Sequence, residues 1–91
     1  MPHLQPNDIL TRVTRYNLIR SQRLIYIDVH EAMYGQLAAR FVAVPNLINI
    51  IARQEYQGVG ETEAEALQSC LDKIENRSIE DLFPRRPAPG D

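Results

Sequence analysis

The sequence predicts an α+β fold, a two-layer sandwich in the order α-β-β-β-α with a three-stranded antiparallel sheet packed against helices. Three observations carry this expectation. Residues 24–30 alternate with period two, placing Ile25, Ile27 and Val29 on one side. Residues 62–74 switch to three- and four-residue spacing behind a helix-start signal. A chain of 91 residues, 44% hydrophobic, has room for one core and not two.

Pro6-Asn7-Asp8 leads into Ile9, Val13 and Tyr16 at i, i+4 and i+7, which predicts an N-terminal helix capped by Asn7 or Asp8. Thr11, Thr14, Asn17 and the Leu18-Ile19 pair suit a helix poorly, so its second half has an extended alternative from Tyr16 onward. From Arg23 the period of two marks the first strand. Met33-Tyr34-Gly35-Gln36 reads as a turn with Gly35 free to take positive φ, and Ala38 to Val44 reads as the returning strand of a hairpin, broken by Pro45. A third strand is expected over residues 50–57, although Leu47, Ile48, Ile50 and Ile51 also match a helical turn.

Thr62 and Glu65 have the spacing of a capping box, in which each side chain satisfies a backbone N–H of the other, so the second helix starts there. Ala64, Leu67, Cys70, Leu71 and Ile74 form its apolar stripe, which must lie on the sheet. Ser78 caps a further short turn through Phe83, ended by Pro84. Residues 1–84 are expected to form the single domain, and 85–91 a disordered tail without large apolar side chains.

One cysteine, Cys70, rules out an internal disulfide, and no ligand set for zinc or another metal is spaced around it. The N-terminus has no basic segment followed by an apolar run, and the Leu47–Ala52 cluster, interrupted by Asn49, is too short to span a bilayer. The expectation is a cytoplasmic protein without membrane contact. Charge is unevenly spread: residues 1–53 hold six Arg against Asp8, Asp28 and Glu31, whereas residues 54–91 hold nine acids against Lys73, Arg77, Arg85 and Arg86. Such a molecule is electrically polar and can steer a partner or align subunits.

The stretch Tyr56-Gln57-Gly58-Val59-Gly60-Glu61-Thr62 through Ile74 resembles the strand-to-helix junction of the double-stranded-RNA-binding domain family, a Gly-x-Gly and a Ser or Thr before a helix rich in small residues. With Phe41-Val42-Ala43-Val44-Pro45 upstream, it also resembles the HicB antitoxin family, whose helix opens with Gly-x-Thr-x-x-Glu-Ala. Both resemblances imply a three-stranded sheet with a helix on one side, and both imply nucleic-acid-related functions. Two departures weigh against those functions. Glu61, Glu63 and Glu65 occupy the helix start where the RNA-binding family carries phosphate-gripping lysines, and phosphate is repelled there. The DNA-binding segment that HicB antitoxins add after the domain is replaced by Pro84-Arg85-Arg86-Pro87.

No catalytic constellation is legible. His30 shares a strand face with Asp28, as a general base and its partner would, but no nucleophile stands near them in sequence. Asp28 and Glu31 differ in strand parity and cannot converge on a cation. Cys70, on the apolar stripe, reads as a small buried hydrophobe. Gly58-x-Gly60 lacks the third glycine of a dinucleotide fingerprint, so no cofactor is expected. Two interaction surfaces remain. Leu47, Ile48, Ile50 and Ile51 are more aliphatic surface than one face of a short strand buries, which marks them as core or as a patch covered by a second subunit. Arg12, Arg15, Arg20 and Arg23, uninterrupted by acids, form the candidate anion or nucleic-acid contact. The reading that follows is a non-enzymatic protein-interaction domain, expected as a homodimer, that presents its sheet edge or aliphatic patch; the alternative is a nucleic-acid-binding or antitoxin-like regulator using the arginine segment.

Overall fold

Residues 3–83 are described by a computed structural model. Four strands, β1 (Leu10–Arg20), β2 (Arg23–Tyr34), β3 (Phe41–Asn46) and β4 (Gly58–Gly60), form one antiparallel sheet in the order β1-β2-β3-β4. Helix α1 (Glu63–Ile74) and the single-turn α2 (Ile79–Leu82) follow. The expected three-stranded sheet in α-β-β-β-α order is therefore corrected to a four-stranded meander followed by helix.

The N-terminal segment read as a helix is strand β1. Its i, i+4, i+7 pattern is real, but Thr11, Val13, Thr14 and Ile19 are β-branched and the segment has a partner of matching length next to it. Arg20 pairs with Arg23 across a two-residue turn in which Ser21 has φ 51° and Gln22 φ 63°. Left-handed backbone at both central positions makes a type I′ turn, whose twist matches that of the flanking strands. Neither residue is the Asn or Gly that normally announces such a turn. Tertiary pairing holds them there against a local cost.

The register sorts the side chains. Even residues of β1 (Tyr16, Leu18, Arg20) and odd residues of β2 (Ile25, Ile27, Val29) share the helix-facing side, opposite one another in the ladder. Ala43 continues this face on β3, and Gly58 and Gly60 on β4. The odd residues of β1 and even residues of β2 face the other way. The molecule is 19 Å in its thinnest dimension, enough for one sheet and one helical layer.

Helix α1 packs chiefly on β4 and β3. A Cβ on Gly58 would overlap the Ala66 carbonyl oxygen and the Cys70 nitrogen, and one on Gly60 would stand 2.7 Å from the Ala66 nitrogen. The two glycines let the helix backbone settle directly on the strand. Thr62 is the N-cap, its Oγ1 accepting from the Glu65 N–H at 3.1 Å, which is one half of the expected capping box; the return bond to the Glu65 carboxylate is not formed. The buried positions of α1 are Ala66, Cys70 and Ile74, with Leu67 and Leu71 partly buried and Ala64 exposed. The expected stripe is thus rotated toward Ala66, because the Gly58 contact brings that side closest to the sheet. Ile25, Ile27, Ile74 and Leu82 are each fully buried and contribute about 1.5–3 kcal/mol apiece.

Residues 50–57 do not form the expected strand. They hold an isolated bridge from Ile51 to Asn46 and a 3₁₀ turn over Gln54–Tyr56, and only Gly58–Gly60 joins the sheet. Pro45 lies in β3 beyond the reach of β4, so its missing N–H breaks no ladder; its carbonyl accepts from the Ala52 N–H at 2.8 Å. Ser78 caps α2, accepting from the Asp81 N–H at 3.3 Å, and Leu82 and Phe83 close the core. The expected tail, 85–91, lies outside the described residues.

Two substitutions test these assignments. Gln22→Gly removes the Cβ from a left-handed position and should raise stability by about 1 kcal/mol, read as a higher urea midpoint at unchanged slope. Gly58→Ala should cost about 3 kcal/mol or more, because the obstructing atoms are helix backbone and cannot step aside. A midpoint within error of wild type would refute the close approach of α1.

Candidate functional site

Both helices lie on one side of the sheet, so the opposite side is open. Its rows can be read across the ladder. Val13, His30, Val42 and Val59 form one row; Arg15, Asp28 and Val44 the next; Asn17, Tyr26 and Asn46 the third; Ile19 and Leu24 the last, at the hairpin end. Of the apolar members, Ile19 is 71% exposed, Val13, Leu24 and Val59 are also exposed, Val44 is half-buried and Val42 is buried.

A polar cluster occupies the middle. Arg15 donates to Asp28 through Nε to Oδ1 at 2.8 Å and through Nη2 to Oδ2 at 3.0 Å, and Asn46 Nδ2 donates to the same Oδ2 at 2.9 Å. The guanidinium also lies over the Tyr26 ring, 4.3 Å from its centroid. The Arg15 guanidinium, and then Asn46, hold the buried Asp28 carboxyl below the usual carboxylate range against the opposing effect of desolvation. Three strands are tied together here by one carboxylate.

Thr11 Oγ1 lies 3.0 Å from His30 Nδ1, a hydroxyl–imidazole contact the sequence did not reveal because it spans the hairpin. The pair does not extend into a triad. Both Asp28 oxygens are taken by Arg15 and Asn46, leaving that carboxylate engaged away from the imidazole. Cys70 is buried and burial pushes its thiol up to about 11, which leaves little thiolate for nucleophilic work. Among the described residues no three His, Cys, Asp or Glu side chains gather as a metal site, and no buried side-chain polar atom lacks a partner. No helix is long and apolar enough to cross a membrane among those residues.

The four candidate arginines do not converge. Arg15 is on the open face, whereas Arg12, Arg20 and Arg23 belong to the helix-facing side. Arg20 Nη1 donates to the carbonyls of Ile74 and Arg77, both at 2.8 Å, capping the C-terminal end of α1. Arg23 is paired with Glu80. Tyr16 adds a third link across the layers, donating to Glu63 Oε2 at 2.8 Å, which raises the tyrosine's pKa and lowers the glutamate's. The charge asymmetry of the sequence is thus partly spent inside the molecule, a basic strand against an acidic helical layer.

The aliphatic cluster is divided. Leu47 and Ile50 pack against the core, whereas Ile48 and Ile51 are 70% and 59% exposed. Ile48, at φ 74°, is the centre of a tight turn in which the Asn49 N–H donates to the Leu47 carbonyl at 2.9 Å, a strained arrangement for a β-branched residue. Asn46 Oδ1 supports it by accepting from the Ile48 N–H at 3.0 Å. Since β3 leaves the sheet at Asn46, Ile48 comes at the same end as Ile19 and Leu24.

Sequence reasoning missed Val13, Ile19, Tyr26 and Asn46 as parts of one surface. The period-two alternation of β2 was a usable signal for Tyr26, but Val13 and Ile19 depend on β1 being a strand and Asn46 on the register of β3 against β2. Comparison with protein-family models, with curated proteins and with solved structures returned no match.

Asp28→Asn should destabilise the fold by about 1–3 kcal/mol at neutral pH by removing the charged acceptor of Arg15. Because the folded carboxyl titrates lower than the unfolded one, its contribution is complete above about pH 5 and disappears as pH falls through the folded value. The stability gap between wild type and variant should therefore shrink on acidification. A gap constant from pH 7 to the acid transition would show that the ion pair stabilises nothing.

Proposed function

We propose that the chain is a non-enzymatic protein-interaction domain of the cytoplasm that acts by associating with itself through its sheet. The observation that carries this reading is the edge strand β1. It is 11 residues long, contains neither Pro nor Lys, carries three arginines of which Arg15 and Arg20 are engaged within the chain, and its one irregularity is a register shift at its very start, between Leu10 and Thr11. Natural proteins blunt exposed edges with short strands, charged side chains and above all Lys, Pro, bulges or a covering element, because a free row of N–H and C=O groups is a template for another strand. The other edge, β4, has three residues. A long edge on which Arg15 and Arg20 are engaged within the chain, beside exposed Val13 and Ile19, suits a strand-pairing contact.

The arrangement of His30, Thr11 and Asp28 supports the non-enzymatic part, since the one hydroxyl–imidazole pair on the open face has its carboxylate neighbour committed to an arginine. The engagement of Arg15, Arg20 and Arg23 within the chain favours a protein partner over nucleic acid. The single buried thiol suits a reducing compartment.

Sedimentation and light scattering at low and high salt, with parallel titrations of RNA and duplex DNA, test this reading. The expected result is a dimer whose affinity is nearly independent of salt, and no nucleic-acid binding. A monomer that binds nucleic acid with a steep salt slope would establish the regulator reading instead. A monomer that binds neither would overturn self-association.

A further inference from the structure

We infer that β1 pairs with β1 of a second copy, antiparallel and centred on Tyr16, so that Val13 of each copy stands opposite Ile19 of the other and the two sheets join into one of eight strands. The inference rests on the self-association reading and specifies its geometry.

The hairpin turn determines which backbone groups are free. Arg20 and Arg23 flank a two-residue I′ turn and are a hydrogen-bonded pair, and pairs recur at every second residue. Even residues of β1 therefore direct N–H and C=O toward β2, and odd residues from Val13 to Ile19 direct theirs away from the sheet. A second copy that pairs here must place odd residues against odd ones to keep both open faces on the same side.

Few registers satisfy this, and the rows of the open face choose among them. Centring on Tyr16 joins the Leu24–Ile19 row of one copy to the Val13–His30–Val42–Val59 row of the other, and the Asn17–Tyr26–Asn46 row to the Arg15–Asp28–Val44 row. Apolar meets apolar, and polar meets polar. Centring on Arg15 instead sets two guanidiniums side by side, Val13 against Asn17 and Ile19 against Thr11. The chosen register does bring Arg12 opposite Arg20 of the second copy. Arg20 is drawn onto the carbonyls at the end of α1, away from the seam, whereas Arg12 forms no ion pair with Glu31, which faces Arg40 at 3.8 Å, and keeps its charge at the exposed surface. On the helix side the two Tyr16 rings meet at the axis, beside Leu18 and Thr14.

Residues 12–20 give a paired edge about 30 Å long. Because α1 packs on β4 and β3, the seam at β1 is chiefly one sheet thick and the contact is small for a specific interface, so a weak, concentration-dependent dimer is expected.

Two measurements test the proposal on the intact chain. Asn17→Pro removes an outward N–H without touching the β1–β2 ladder, so the variant should keep the wild-type circular dichroism while its dimer dissociation constant rises at least about tenfold. Separately, Val13→Cys and Ile19→Cys chains, each substituted at an exposed site, are mixed and oxidised; the buried Cys70 stays silent. A mixed disulfide between the two variants, well above either homodisulfide, is expected. Val13→Cys crosslinking to Asn17→Cys instead, or Arg15→Cys crosslinking to itself, would overturn the register. A folded Asn17→Pro protein that dimerises as wild type would overturn the edge pairing. Each of these leaves the wild-type dimer, and hence the self-association reading, standing; a wild-type monomer removes both.

Discussion

The parity of β1 against β2, set by the two-residue turn at Ser21 and Gln22, is the constraint on which the rest of the molecule depends. It turns Tyr16 and Leu18 toward the helical layer opposite Ile27 and Ile25, and it brings Arg15 opposite Asp28. A slip of one residue would send each of these to the wrong face. The turn is made from residues that disfavour its left-handed backbone, so the register is held by what it buries. The core under Ile25, Ile27 and Val29 and the ion pair on the opposite face act together, one on each side of the same strand.

The two layers are held by more than apolar contact. Glycines at 58 and 60 let α1 approach β4 at backbone distance, which positions the helix over one half of the sheet. Its ends are then tied to the other half by polar links from β1: Tyr16 to Glu63 near the N-terminus, and Arg20 to the carbonyls of Ile74 and Arg77 at the C-terminus. Arg20 there meets the negative end of the helix dipole. The edge strand thus has its side chains fixed on the helical side while its outward backbone groups stay free.

The open face combines a rigid centre with an apolar periphery. Arg15, Asp28 and Asn46 satisfy one another, and stacking on Tyr26 keeps the guanidinium close to the sheet. Exposed Ile19, Leu24, Ile48 and Val13 lie toward the ends, with Ile19 and Ile48 the most open to solvent. A surface of this kind gains little from charged ligands, since its charges are already paired, and gains more from covering its aliphatic ends.

Individual elements of the fold, though not its strand count or order, were legible in local sequence. Thr62 capped α1 as its spacing demanded, Ser78 capped α2, and the alternation of Ile25, Ile27 and Val29 marked β2, because caps and periodicities are properties of short stretches of chain. The identity of β1 was not legible: Ile9, Val13 and Tyr16 fit a helix as well as a strand, and Ser21-Gln22 carries no turn signature, so only pairing with β2 decided between them. The same holds for the candidate residues. Sequence proximity grouped Arg12, Arg15, Arg20 and Arg23, and likewise Leu47, Ile48, Ile50 and Ile51, but strand parity and the turn at Ile48 separated each set. The sequence by itself determined composition, caps and one strand; the tertiary structure decided faces and edges, because which side a residue takes depends on a register fixed by partners distant in the chain.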